Sequence, residues 1–96
     1  MSEETLRKAL HITLYGQVQG VGFRFFTQKT ASRLGVVGWV KNMSDGTVEI
    51  WAEGRETTLN EFKRAVREGP SHAYVRKMDT QWLEPKEDYS SFRIRY

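Results

Sequence analysis

Cysteine is absent from the 96-residue chain. Disulfides, thiolate metal sites and cysteine nucleophiles are thereby excluded, and the cytoplasm is the expected compartment. Histidine is nearly absent as well. His11 falls on the polar phase of an alternating segment and His72 in a loop, and neither has a second ligand at metal spacing, so no metal or other cofactor is expected. No apolar run approaches the roughly 20 residues of a membrane-spanning helix. Met1 to Lys8 is a polar extension with no secretory core. Charge of one sign is not concentrated anywhere: the net charge is +3, and the basic groupings are as short as Lys63-Arg64 and Arg76-Lys77. These read as solvated faces rather than a nucleic-acid footprint. Residues 1–96 are expected to form one domain, large enough to bury roughly 60–65% of the unfolded surface.

What is present is a regular succession of patterns. Leu10, Ile12 and Leu14 alternate with His11, Thr13 and Tyr15, the period of a half-buried strand running to Gly16. Phe23, Phe26, Thr30, Ala31 and Leu34 predict a helix over 23–34, with Gly35 at the left-handed cap position. Val36 to Asn42 and Thr47 to Gly54 read as strands, the latter with Val48, Ile50 and Ala52 inward and Thr47, Glu49, Trp51 and Glu53 outward. Between them, Met43-Ser44-Asp45-Gly46 carries the Asp-Gly signal of a hairpin. Thr58 and Glu61 have the spacing of a capping box ahead of Leu59, Phe62 and Val66, and Gly69-Pro70 stops that second helix. Ala73 to Leu83 is rich in strand formers but slips phase between Val75 and Met78. Either a bulge or a misplaced strand end produces such a slip. After a break at Pro85–Asp88, Phe92, Ile94 and Tyr96 alternate with Arg93 and Arg95 as a fifth strand. The order β-α-β-β-α-β predicts an α+β, ferredoxin-like sandwich, an antiparallel sheet with both helices on one face.

One stretch carries chemistry. Gly16-Gln17-Val18-Gln19-Gly20-Val21-Gly22-Phe23-Arg24 joins the first strand to the first helix. Glycines let a ligand approach the main chain, successive amides can converge on an anion, and the helix start adds free N–H groups and positive dipole. Arg24 contributes a planar fork suited to phosphate oxygens. The same stretch also reads as a plain strand-to-helix turn, and its spacing is neither a Walker nor a dinucleotide loop. Topology brings in a second side chain. The helix descends roughly 16 Å from Arg24 to Leu34 at about 1.5 Å per residue, and the next strand climbs roughly 20–23 Å at about 3.3 Å per residue. Asn42 is thus expected at the same end of the sheet as Arg24, as a site residue or as the start of the hairpin. The last strand could bring Tyr96 to that end too, with its carboxylate near Arg24, or the chain could simply fray there.

At these residues the sequence resembles the acylphosphatases. Gly16 to Arg24 fits every fixed position of their signature G-x-V-Q-G-V-x-[FY]-R. Gly38-Trp39-Val40-Lys41-Asn42, Gly46, Val48 and Gly54 fit the second, G-[FYW]-[AVC]-[KRQAM]-N-x3-G-x-V-x5-G. Gly69-Pro70, Ala73, Val75 and the ending Phe92-Arg93-Ile94-Arg95-Tyr96 are similar as well. The resemblance implies a ferredoxin-like enzyme that hydrolyses the carboxyl–phosphate bond of small-molecule acyl phosphates without metal. It implies that Arg24 and main-chain amides of Gln19, Gly20, Val21, Gly22, Phe23 and Arg24 bind the phosphoryl group, and that Asn42 orients the attacking water. Inorganic phosphate is then product and inhibitor, and a monomer with no nucleic-acid or membrane partner is expected. Three other readings compete. The element order also serves RNA-recognition domains, but Gly22-Phe23-Arg24-Phe25-Phe26 opens a helix and the third strand offers only Trp51 for stacking. A small-ligand regulatory domain would need a partner domain or a dimer. Such domains also occur as modules of larger carbamoyl-transferring maturation proteins.

Overall fold

Seven elements follow one another: β1 (Arg7–Gln17), α1 (Phe23–Leu34), β2 (Val37–Asn42), β3 (Val48–Arg55), α2 (Glu56–Glu68), β4 (Tyr74–Leu83) and β5 (Phe92–Arg95). The structure, a computed structural model, describes residues 6–96, so most of the polar N-terminal extension lies outside it. The sheet order is β4-β1-β3-β2-β5. β1 runs antiparallel to β3 and β4, and β2 antiparallel to β3. β5 lies parallel to β2, so the sheet is mixed rather than wholly antiparallel. The reason is direction: β4 ends at the sheet end opposite the hairpin, and residues 84–91 carry the chain across the sheet at that end before it climbs beside β2.

The inward phase of the strands is as the alternation requires. Leu10, Ile12, Leu14, Val40, Val48, Ile50 and Ala52 meet Phe23 and Ala31 of α1 and Leu59, Phe62 and Val66 of α2 in one core. Each large apolar side chain among them contributes about 1.5–3 kcal/mol through burial. The α1 stripe differs in detail from the expected one. Thr27 is fully buried beside Phe23, Thr30 and Ala31, while Phe26 and Leu34 are only half-buried. Thr27 tolerates burial because its hydroxyl donates to the Phe23 carbonyl at 2.8 Å, which removes the cost of an unpaired polar group.

Two local expectations are corrected. α2 begins at Glu56 with extended Arg55 as its N-cap, so Thr58 lies within the first turn and caps nothing. β3 runs straight into the helix, and Glu56 supplies the negative charge favoured at a helix N-terminus while pairing with Lys8. The phase slip in β4 is a bulge: Tyr15 opposes Lys77 but Gly16 opposes Val75, which leaves Arg76 as the extra residue. Gly16 therefore belongs to the strand, which runs on to Gln17, and is not the start of the turn. A Cβ there would stand 2.2 Å from the Tyr74 carbonyl oxygen, so no other residue fits against the bulged neighbour.

The outward face of β3 is the larger surprise. Glu53, expected to face solvent, is wholly buried, as is most of Trp51. The segment 84–91 covers them. The Glu53 carboxylate accepts hydrogen bonds from Trp51 Nε1 at 2.6 Å, the Lys86 amide at 2.9 Å and the Glu87 amide at 3.0 Å. Burial pushes its pKa up, but these three donors and the charge of Arg7 outweigh it, and the carboxyl lies below its ordinary value. A pKa lowered by folding stabilises above the unfolded value and loses that contribution as pH falls through the folded one. Glu53→Gln is accordingly expected to lower unfolding free energy by about 1–3 kcal/mol at pH 7, and to lose less of its remaining stability on acidification than the wild type. Urea unfolding at neutral and acid pH measures both effects; equal acid sensitivity in the two proteins would exclude this role.

Candidate active site

Beyond Gln17 the chain leaves the sheet, buries Val18 and turns through Gly20 and Gly22, both with positive φ (74° and 77°). Gly22 is the N-cap of α1 and has no side chain to cap the helix, and the first turn holds no acidic residue. The leading N–H groups of α1 therefore lack helical partners and keep the full positive end of the dipole. A Cβ on Gly20 or Gly22 would meet no atom within 4 Å. It is the left-handed backbone, more than crowding in the free protein, that calls for glycine here.

This turn forms one wall of a cavity of about 270 Å³, lined by Val18, Gly20, Gly22, Phe23, Arg24, Phe25, Asn42, Ile94 and Tyr96. Of the site residues expected from sequence, Gly20, Gly22, Phe23, Arg24 and Asn42 line it. Gln19 and Val21 do not. Val21 packs against the core. The Gln19 side chain turns the other way, and its Nε2 donates to the carbonyls of Met43 and Thr47, both at 2.8 Å. It thereby clamps the turn to the hairpin that begins after Asn42. That hairpin is closed by the Met43 amide on the Thr47 carbonyl (2.9 Å) and by the Thr47 amide and hydroxyl on Asp45 Oδ1 (3.0 and 2.6 Å). The Thr47 hydroxyl and amide hold the Asp45 pKa below its ordinary value.

Gln19→Ala should lower unfolding free energy by about 1–3 kcal/mol, the worth of two hydrogen bonds. Gln19→Glu should be worse at neutral pH, because a carboxylate would face two carbonyl oxygens. Chemical denaturation checks the ranking, and a Gln19→Glu protein as stable as wild type would disprove the clamp.

Two side chains in the cavity wall are unusual. Arg24 is half-buried, and its guanidinium carbon lies 4.6 Å from the centre of the Tyr96 ring. The stack occupies a face of the guanidinium and leaves its edge donors for an acceptor; no ion pair engages Arg24 among the described residues. Tyr96 does reach Arg24, through its ring rather than its carboxylate, so neither a carboxylate contact nor a merely frayed end describes it. Asn42 Oδ1 is closed to solvent and, alone among the buried side-chain polar atoms of the described residues, has no hydrogen-bond partner. Such an atom is costly to keep. Sequence reasoning missed Val18, Phe25, Ile94 and the Tyr96 ring as lining residues. Ile94 in β5 and Tyr96 just past its end share one phase of the C-terminal alternation, which is a usable signal; nothing in helical periodicity separates Phe25 from an ordinary surface residue.

Among the described residues no group of three His, Asp or Glu side chains is placed to hold a metal ion, and no helix is long and apolar enough to cross a membrane.

The layers and strand order define a ferredoxin-like α+β fold whose glycine turn, arginine and asparagine meet at one end of the sheet. Residues 10–94 match the family model described as Acylphosphatase. A protein named acylphosphatase from Archaeoglobus fulgidus is 49% identical over 88 residues, covering 92% of this chain and 98% of that protein. The crystal structure of acylphosphatase from Bacillus subtilis superposes with a TM-score of 0.89 at 40% identity, covering 93% of this chain and 99% of the other. A full-length HypF in the phosphate- and nucleotide-bound form also superposes, with a TM-score of 0.87 at 35% identity, over 95% of this chain and 12% of that one. The chain belongs to the acylphosphatase family.

Proposed function

We propose that this enzyme hydrolyses acyl phosphates, with Arg24 and the amides of the turn from Gln19 to Arg24 holding the phosphoryl group and Asn42 orienting the water. The observation that carries this reading is the pairing, in one cavity wall, of a guanidinium with free edge donors and a buried carboxamide oxygen without a partner. The guanidinium suits a phosphoryl group that is anionic throughout the reaction. A turn of the Asn42 carboxamide that brings its unpartnered oxygen to the cavity lets it accept a hydrogen bond from water and aim the oxygen lone pair of that water at phosphorus.

The bond changes need little equipment. A water oxygen forms a bond to phosphorus while the bond from phosphorus to the acyl oxygen breaks, and the electron pair leaves with the carboxylate. A carboxylate is a weak base and departs without a proton from a general acid. The proton of the water passes to a phosphoryl oxygen of the substrate, which gives dihydrogen phosphate. What remains for the protein is to position the reactants and to stabilise charge on the phosphoryl oxygens. Amides fixed by the turn and the edge of Arg24 do the second, and no metal step is required by this chemistry.

Inorganic phosphate resembles the transferred group and should act as a product inhibitor at the same cradle. The protein is taken to work as a single domain and a monomer; a chain without cysteine suits the reducing cytoplasm. In excess chelator, acyl phosphates should still be cleaved, whereas alkyl phosphate esters, whose alkoxide leaving group needs a proton, should be cleaved poorly. Activity lost with chelator and restored by Mg²⁺ or Zn²⁺, or equal turnover of both substrate types, would overturn the reading.

A further inference from the structure

The chemistry just described uses the floor of the cavity and none of its rim. Phe25 is 64% exposed and Tyr96 89% exposed, yet both border the cavity, together with half-buried Ile94. A single exposed aromatic is ordinary on a protein surface. Here three apolar side chains come from two distant parts of the chain, the first turn of α1 and the end of β5, and converge around one cationic floor. The arrangement follows from the fold. Phe23 turns into the core, and Arg24, one residue on, lines the cavity; Phe25, one residue further, stands at its mouth on the solvent side of the helix, where a polar residue would cost nothing.

An acyl phosphate has its carbonyl carbon one bridging oxygen away from phosphorus. With the phosphoryl group in the glycine turn, the substituent on that carbon must lie just outside the cradle, at the rim. We infer that Phe25, with Ile94 and Tyr96, forms a subsite for the acyl group, and that the enzyme selects acyl phosphates bearing an aromatic or bulky aliphatic group over small ones. This rests on the acyl phosphate reading of the cavity. Phe25 acts as a specificity-determining residue: covering its ring removes apolar surface from water only when the acyl group is large enough to reach it. Neither Arg24 nor the amides distinguish one acyl group from another, because both address the phosphoryl end.

The test compares benzoyl phosphate with acetyl phosphate on the wild-type protein, Phe25→Ala and Phe25→Leu. The two substrates differ in intrinsic reactivity, so the informative quantity is how the ratio of their kcat/KM values changes between proteins. Phe25→Ala is expected to lower kcat/KM for benzoyl phosphate about tenfold, mainly through KM, and to leave acetyl phosphate within about twofold. Phe25→Leu should keep part of the preference, and the inhibition constant of inorganic phosphate should be unchanged in both variants. Phe25 is exposed, and circular dichroism with thermal unfolding confirms that its replacement leaves the fold intact. A ratio of kcat/KM values that Phe25→Ala does not change, in a folded protein that still cleaves acetyl phosphate, overturns the subsite and leaves the acylphosphatase reading standing. Failure of the wild-type protein to cleave either substrate overturns that reading and the subsite with it.

Discussion

Asn42→Ala should lower kcat by at least about a hundredfold while the inhibition constant of inorganic phosphate stays within several-fold of wild type. That is the scale on which losing an oriented reaction partner slows a reaction. The split between the two constants follows from what Asn42 touches in the proposed mechanism: the attacking water and not the phosphoryl group. Stability separates this role from a purely structural one. Asn42 closes β2, opposite Val48, through backbone pairing that the substitution keeps. Its Oδ1 has no hydrogen-bond partner to lose. Truncation should therefore change unfolding free energy by no more than about 1 kcal/mol. A side chain kept for the hairpin would show the opposite pattern, with stability lost and turnover preserved.

Arg24→Ala should be more damaging still, lowering kcat/KM by at least about a thousandfold, because a fully charged donor to the phosphoryl group acts in both ground and transition states. Arg24→Lys is the sharper probe. It keeps the charge but loses the planar fork and its stacking on the Tyr96 ring at 4.6 Å. Phosphate inhibition and turnover should both weaken, in contrast to Asn42→Ala. Because no ion pair holds Arg24 among the described residues, neither substitution should reduce stability appreciably. Unchanged phosphate inhibition in a folded Arg24→Lys protein would remove the guanidinium from the cradle.

Much of this is legible in the residues themselves, for reasons that can be named. Strong alternation in Leu10–Leu14 and the Asp45-Gly46 turn fix strands and a hairpin through local sterics, and Gly20 and Gly22 mark the turn that leads from β1 into α1. The arrival of Asn42 beside Arg24 needs only the rise per residue of a helix and a strand. What stays hidden depends on contacts between distant parts of the chain. Thr27 reads as polar, but its hydroxyl is satisfied by the Phe23 carbonyl and so it can be buried. Glu53 reads as a surface carboxylate until Lys86 and Glu87 fold over it and donate their amides. Thr58 and Glu61 have the spacing of a cap, but the strand enters the helix two residues before Thr58 and leaves them no end to cap. Gln19 suggests a backbone role by its place in the turn, while its side chain spans to Met43 and Thr47. The parallel placement of β5 follows from the path of residues 84–91 across the sheet, which no local pattern encodes.

The claim beneath all of these is that water attacks phosphorus in a cradle at the glycine turn. It is tested most directly by hydrolysing an acyl phosphate in water enriched in heavy oxygen, with excess chelator, and finding which product carries the label. Attack at phosphorus puts the heavy oxygen in inorganic phosphate and leaves the carboxylate unlabelled. Label in the carboxylate would mean attack at the carbonyl carbon, and would contradict both the phosphoryl cradle at Arg24 and the water-orienting role of Asn42.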